Sequence, residues 1–208
     1  MKHHLAIFGG SGGTGTHVCL QAMARGWSLT GLVRTAGSLP SGTQEVVGDL
    51  VDLEAVSRTL EAATIVIIVF GARPPFTDVF CAAATSNIVT AAKAQNVDRI
   101  IVQTGGLVGD YQNQGWVFKT AATVFARGAE ASMADRAEQE QVVKTSGLRW
   151  TLVKPPRLTD GESTDVAVGT DVRVGLFSSV SRASLANVLL DLCDDASSVG
   201  SVLFVKKA

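Results

Sequence analysis

The chain has 208 residues, a formal net charge of −1, 46% hydrophobic residues and 21 glycines. That length and apolar content suit one α/β domain with a full core and exclude a disordered or fibrous chain. The near-neutral charge excludes a global field that gathers nucleic acid or anionic lipid, so no nucleic-acid and no membrane partner is expected.

Apolar stretches of strand length alternate with helical ones, the pattern of a doubly wound, mostly parallel sheet with helices on both faces. Residues 5–8 read as a strand and 14–25 as an amphipathic helix. Strands follow at 28–33 and 45–47, and Asp52 caps a helix running through residue 60. Residues 64–70 are the most apolar strand and are expected at the centre, ahead of a helix over 78–95 and a strand over 99–103. Residues 116–146 are mostly helix-forming, with a break near Gly128 and a solvated face of Asp135, Arg136, Glu138 and Glu140. A strand over 150–153 is stopped by Pro155-Pro156. Short strands at most are expected from there to about residue 179, then a helix over 184–193 and a strand over 199–205.

No repeat, low-complexity tract or linker interrupts this order, so residues 1–208 are expected to form one three-layer α/β/α domain of Rossmann type. Cys19, Cys81 and Cys193 are far apart and lack ligand spacing, so neither a disulfide framework nor a metal site is expected. Cys81 and Cys193 read as small core residues, and His3 and His4 as part of a frayed end. Without signal-peptide order at Met1, and with an apolar run (64–72) too short to span a bilayer, a cytoplasmic protein is expected.

The chemistry starts at Gly9-Gly10-Ser11-Gly12-Gly13-Thr14-Gly15, between the first strand and the first helix. Gly9 permits a tight turn, Gly12 a close approach of backbone to phosphate, and Gly15 close packing of helix on strand. Helix N-terminal amides then face the anion, with Ser11 and Thr14 as further hydroxyl donors. The next strand ends in Leu32-Val33-Arg34-Thr35, where an NAD site usually carries an acid. Arg34 can instead pair with a 2′-phosphate, which favours NADP(H) over NAD(H). Asp49-Leu50, Gly71, Ala72 and Arg73 follow later strands, at the carboxyl ends where such ligands lie.

Taken together, LAIFGGSGGTG, LVR, VVGDL, VFGAR, RIIVQTGG, SGLRWTLVKPPRLTDG and VSRASLANVLL resemble the atypical, extended-like short-chain dehydrogenase/reductases that bind NAD(P)H. Within these the chain looks most like the biliverdin-IXβ reductase/flavin reductase group, except over about 109–135. The resemblance implies that Gly9, Gly12, Thr14 and Gly15 touch the pyrophosphate, Arg34 holds the 2′-phosphate, and Asp49-Leu50 flank the adenine. It places Thr104 and Pro155 beside the nicotinamide, and Arg157 where that group has a substrate-lining histidine. Two departures bear on catalysis. Gly105 stands where a serine is expected, and the only tyrosine, Tyr111, has Gly115 four residues on, so the Tyr-x-x-x-Lys couple is missing.

The expected activity is NADPH-dependent hydride transfer to a planar conjugated acceptor, a flavin or bilin, which needs little help from a protein acid. Gly105, Trp116 and Arg157 are the candidate substrate residues, with Phe118 near Trp116. Arg157, Arg73 and Lys154 are candidate cations for propionates or a flavin phosphate. The alternative is a non-catalytic NADP(H) sensor; a sugar-nucleotide epimerase fits less well without the Tyr/Lys pair.

Overall fold

Successive residues of β1 (His4–Phe8) feed two different cores: Leu5 and Ile7 pack on one face of the sheet, Ala6 and Phe8 on the other. The same alternation governs β4 (Ile65–Ile68), which explains why both strands read as unbroken apolar runs. Each fully buried Ile, Leu or Phe side chain of this kind contributes roughly 1.5–3 kcal/mol. The computed structural model describes residues 3–72, 76–109, 115, 120, 128–175 and 177–208.

The main sheet has eight strands in the order β3-β2-β1-β4-β5-β6-β10-β8. The remaining strands are β2 (Ser28–Val33), β3 (Gln44–Val47), β5 (Arg99–Gln103), β6 (Arg149–Lys154), β8 (Val166–Gly169) and β10 (Ser201–Lys207). All neighbours run parallel except β8, which pairs antiparallel with β10 at the edge. Two short strands, β7 (Arg157–Thr159) and β9 (Ser179–Ser181), pair with each other apart from it.

Helices α1 (Gly13–Ala24) and α5 (Arg182–Asp194) cover one face. α2 (Leu53–Leu60) and α3 (Cys81–Ala94) cover the other, and α4 (Glu130–Lys144) packs on α3. This is the expected Rossmann-type three-layer arrangement. The chain runs outward from β1 through β2 to β3, then returns to β4 on the far side of β1. Strand order therefore reverses between β1 and β4, which opens a crevice at their carboxyl ends.

Three departures have local causes. The helix expected over 78–95 starts at Cys81, because its cap comes from across the fold, as described below. The helix expected over 184–193 starts at Arg182, because the Ser181 hydroxyl accepts from Ser184 N and caps the earlier turn. The expected frayed end is also corrected: His3 Nε2 lies 2.8 Å from Asp194 Oδ1 with its ring edge-on to Trp27, and His4 begins β1. Cys19, Cys81 and Cys193 are buried and unbridged. Among the described residues no helix is long and apolar enough to cross a membrane, and no group of three metal-ligating side chains forms.

Candidate functional site

The crevice between β1 and β4 is floored by the glycine loop. Gly9 has φ +95°, and a Cβ there would lie 2.7 Å from Phe70 N, so the turn and its approach to the β4 exit both require glycine. Gly12 N donates to Gly9 O at 3.0 Å, closing the turn that starts α1. A side chain at Gly15 would run into Gly9 O and the Gly10 backbone, so α1 and β1 touch there without an intervening side chain.

The start of α1 differs electrostatically from the other helix starts. Asp52 caps α2, Asp135 caps α3 and Ser181 caps α5, while α4 carries Glu130 in its first turn. Among the described helices only α1 has neither a side-chain cap nor an acid in its first turn. Its leading amides and the positive end of its dipole are thus left for an external anion. Ser11 and Gly13 are exposed at this end, whereas Thr14 is buried.

The loop after β2 is braced from β3. Glu45 accepts from Gly37 N at 2.6 Å and Leu39 N at 2.7 Å, and these amides hold its carboxyl below the usual carboxylate range. Arg34 and Thr35 stay exposed, and Arg34 makes no ion pair among the described residues. Asp49 Oδ1 accepts from Val51 N at 3.2 Å in a local turn, which employs one of the oxygens the sequence offered to an adenosine. Leu50 is fixed by Asn87 Nδ2, which donates to its carbonyl at 2.9 Å.

At the carboxyl end of β5 and β6 the structure overturns two expectations. Lys154 is fully buried: Nζ lies 2.8 Å from Glu140 Oε1 and also donates to Val108 O. It is therefore unavailable to an acceptor's propionate. Glu140 and Asp135 are not on a solvated face. Glu140 is 1% exposed and also accepts from Thr104 Oγ1 at 2.8 Å. Asp135 Oδ2 accepts from Phe80 N and Cys81 N, and its Oδ1 from Ala82 N, which together start α3.

Gln139 is also buried and donates to Thr85 Oγ1 at 2.9 Å. The missed signal was spacing. Ser132, Asp135, Gln139, Glu140 and Val143 recur at helical intervals, and the buried stripe they form is mostly polar.

Thr104 thus directs its hydroxyl into the Glu140–Lys154 pair, and its amide donates to Val153 O. Gly105 next to it is part-exposed and has room for a side chain, the nearest contact to a Cβ being Val108 Cγ2 at 3.4 Å. Pro155 is buried, and its carbonyl accepts from Gly106 N at 2.8 Å, tying the two loops together. Arg157 is exposed at the start of β7. Gly71 and Ala72 are half-buried after β4. Arg73, Tyr111, Trp116 and Phe118 lie outside the described residues.

The site therefore joins an uncapped helix start and a glycine cradle at one end to a sealed ion pair beneath Thr104 and Gly105 at the other. Solved structures share this fold. A wide-type short-chain dehydrogenase/reductase from Veillonella parvula, in complex with NADP, superposes with a TM-score of 0.82 at 16% identity, covering 99% of this chain and 94% of that one. An anaerobillin reductase from Escherichia coli O157:H7 gives 0.79 at 19% identity, covering 97% and 95%. A Rossmann-fold NAD(P)-binding family protein from Shigella flexneri gives 0.73 at 20% identity, covering 100% and 94%. The family model described as NAD(P)H-binding matches residues 9–196, from the first loop glycine to the turn after α5. The chain belongs to this NAD(P)H-binding family, with a Rossmann-type fold.

Proposed function

We propose that the protein is an NADPH-dependent reductase that delivers hydride to a planar conjugated acceptor of flavin or linear-tetrapyrrole type, working as one domain. The observation that carries this reading is the state of the β5 exit. The Thr104 hydroxyl donates its hydrogen bond to Glu140, and Gly105 has no side chain. Hydride addition to an isolated carbonyl needs a placed acid, whereas a conjugated acceptor spreads the charge and takes its proton from solvent. The likeness to an anaerobillin reductase supports the same acceptor class.

In this reading Gly9, Ser11, Gly12, Gly13, Thr14 and Gly15 hold the pyrophosphate on the α1 start, and Arg34 takes the 2′-phosphate. Asp49 and Leu50 border the adenine, and Gly71 and Ala72 line the path toward Thr104 and Pro155. Gly105 and Arg157 face the acceptor. The cofactor when bound would supply the hydride; the chain's own residues orient it against the acceptor. Bound NADPH should raise the melting temperature more than NADH does. Absorbance at the nicotinamide band should then fall when FMN or biliverdin is added. Tight NADPH binding with no oxidation by either acceptor overturns the reductase and leaves a sensor of the cofactor.

A further inference from the structure

Arg136 stands four residues before Glu140 on α4, so both side chains lean toward the strand ends. Glu140 reaches the β5 exit, whereas Arg136 reaches the β4 exit, where Nη1 donates to Phe70 O at 2.8 Å. The guanidinium lies over Gly71: a Cβ there would sit 2.7 Å from Nη1 and 3.2 Å from Cζ. Phe70 is also the residue against which Gly9 packs, so Arg136 is separated from the phosphate loop by that one residue.

This cation is half-buried and has no carboxylate partner among the described residues. Its sequence neighbour Asp135 is engaged by three amides of α3. Its nearest sulfur, Cys81 Sγ at 3.9 Å, belongs to a thiol that burial pushes up and holds neutral. The other cations near the crevice are differently placed. Lys154 is sealed against Glu140, Arg182 pairs with Asp160 at 2.6 Å, and Arg34 stands at the adenosine end. A half-buried guanidinium with Nη1 committed to Phe70 O and Cys81 Sγ keeps its other planar donors for the oxygens of one anion.

We infer that Arg136 is an oxyanion-binding residue of the crevice, gripping a carboxylate of the acceptor or a phosphate of the cofactor above Gly71. The inference rests on the reductase reading for the identity of these ligands and goes beyond it in assigning the cation. It also replaces Lys154 as the group that selects acidic acceptors.

The test compares the wild type with Arg136→Gln and Arg136→Lys. NADPH is titrated by nicotinamide fluorescence, and biliverdin and its dimethyl ester by absorbance. Arg136→Gln should weaken biliverdin at least tenfold with the ester unchanged if the anion is the acceptor's carboxylate. It should instead weaken NADPH at least tenfold, with both bilins following equally, if the anion is a phosphate. Arg136→Lys, which keeps the charge and a donor for Phe70 O, should lose less in whichever arm responds. Binding of NADPH and biliverdin within twofold of wild type by folded Arg136→Gln overturns the inference. If the wild type binds neither, the reductase reading fails on its own. Inorganic pyrophosphate then tests Arg136 by thermal shift, where equal stabilisation of wild type and Arg136→Gln overturns it.

Discussion

Lys154 Nζ and Glu140 Oε1 meet at 2.8 Å with both side chains closed to solvent, directly beneath the loop that carries Thr104 and Gly105. The pair takes in the Thr104 hydroxyl and the Val108 carbonyl as well, so one cluster ties α4, β6 and that loop together. Removing one partner leaves the other charge buried without compensation. Lys154→Met should therefore cost about 3–5 kcal/mol in urea unfolding. The double variant Lys154→Met, Glu140→Leu should recover most of that loss. A loss in the double variant equal to the sum of the Lys154→Met and Glu140→Leu losses would show that the pair is not coupled.

Asp135 starts a helix that lies over fifty residues upstream of it. Asp135→Ala leaves the amides of Phe80, Cys81 and Ala82 without their acceptor and should cost roughly 2–3 kcal/mol. Asp135→Asn, which keeps one acceptor oxygen, should lose about half as much. The midpoints and slopes of chemical denaturation check both, and a loss under about 0.5 kcal/mol for the alanine variant contradicts the capping role.

Arg34 separates the two dinucleotides if its partner is the 2′-phosphate. A charge-assisted pair contributes about 1.5–3 kcal/mol, so Arg34→Ala should raise the Kd for NADPH roughly 10- to 100-fold. The Kd for NADH should move less than about twofold, with both titrations at one ionic strength. Parallel losses for both cofactors contradict the assignment.

The buried thiols set an alkaline limit. Burial pushes Cys19 up to about 11 and Cys193 up to about 12. In the unfolded chain a thiol ionises near pH ~8.5, so above that pH the unfolded state binds fewer protons than the folded one. The stabilisation is complete below that pH and is lost as pH rises toward the folded values. Each thiol then contributes a fall of up to about 1.4 kcal/mol per pH unit. Urea midpoints measured from pH 8 to 10 should decline, with a shallower slope in Cys193→Ala. An unchanged slope in that variant assigns the decline to other groups.

The sheet was legible because two rules coincide in its strands: both faces of β1 and β4 are covered, so the apolar runs are continuous. The glycine loop was legible because backbone contact at Gly9 and Gly15 leaves no room for a side chain. The polar underside of the site was not. Asp135 and Glu140 read as a wet surface on hydropathy alone. Their partners, the α3 amides, Thr104 and Lys154, are brought to them only by the folded chain. Arg136 was hidden for the same reason, since its only sequence cue is the four-residue step to Glu140.

The rigid floor at Gly9 and Gly15 also has a practical consequence for engineering. Neither position admits a side chain, so on the proposed reading the pyrophosphate end offers no handle for changing nucleotide preference. The handle lies in residues 34–36, which project from a loop already clamped by Glu45 through Gly37 and Leu39. An acid exchanged for Arg34 there would meet an anchored backbone that need not be rebuilt, which makes this short exposed stretch, on the proposed NADPH reading, the natural place to retune the protein toward NADH.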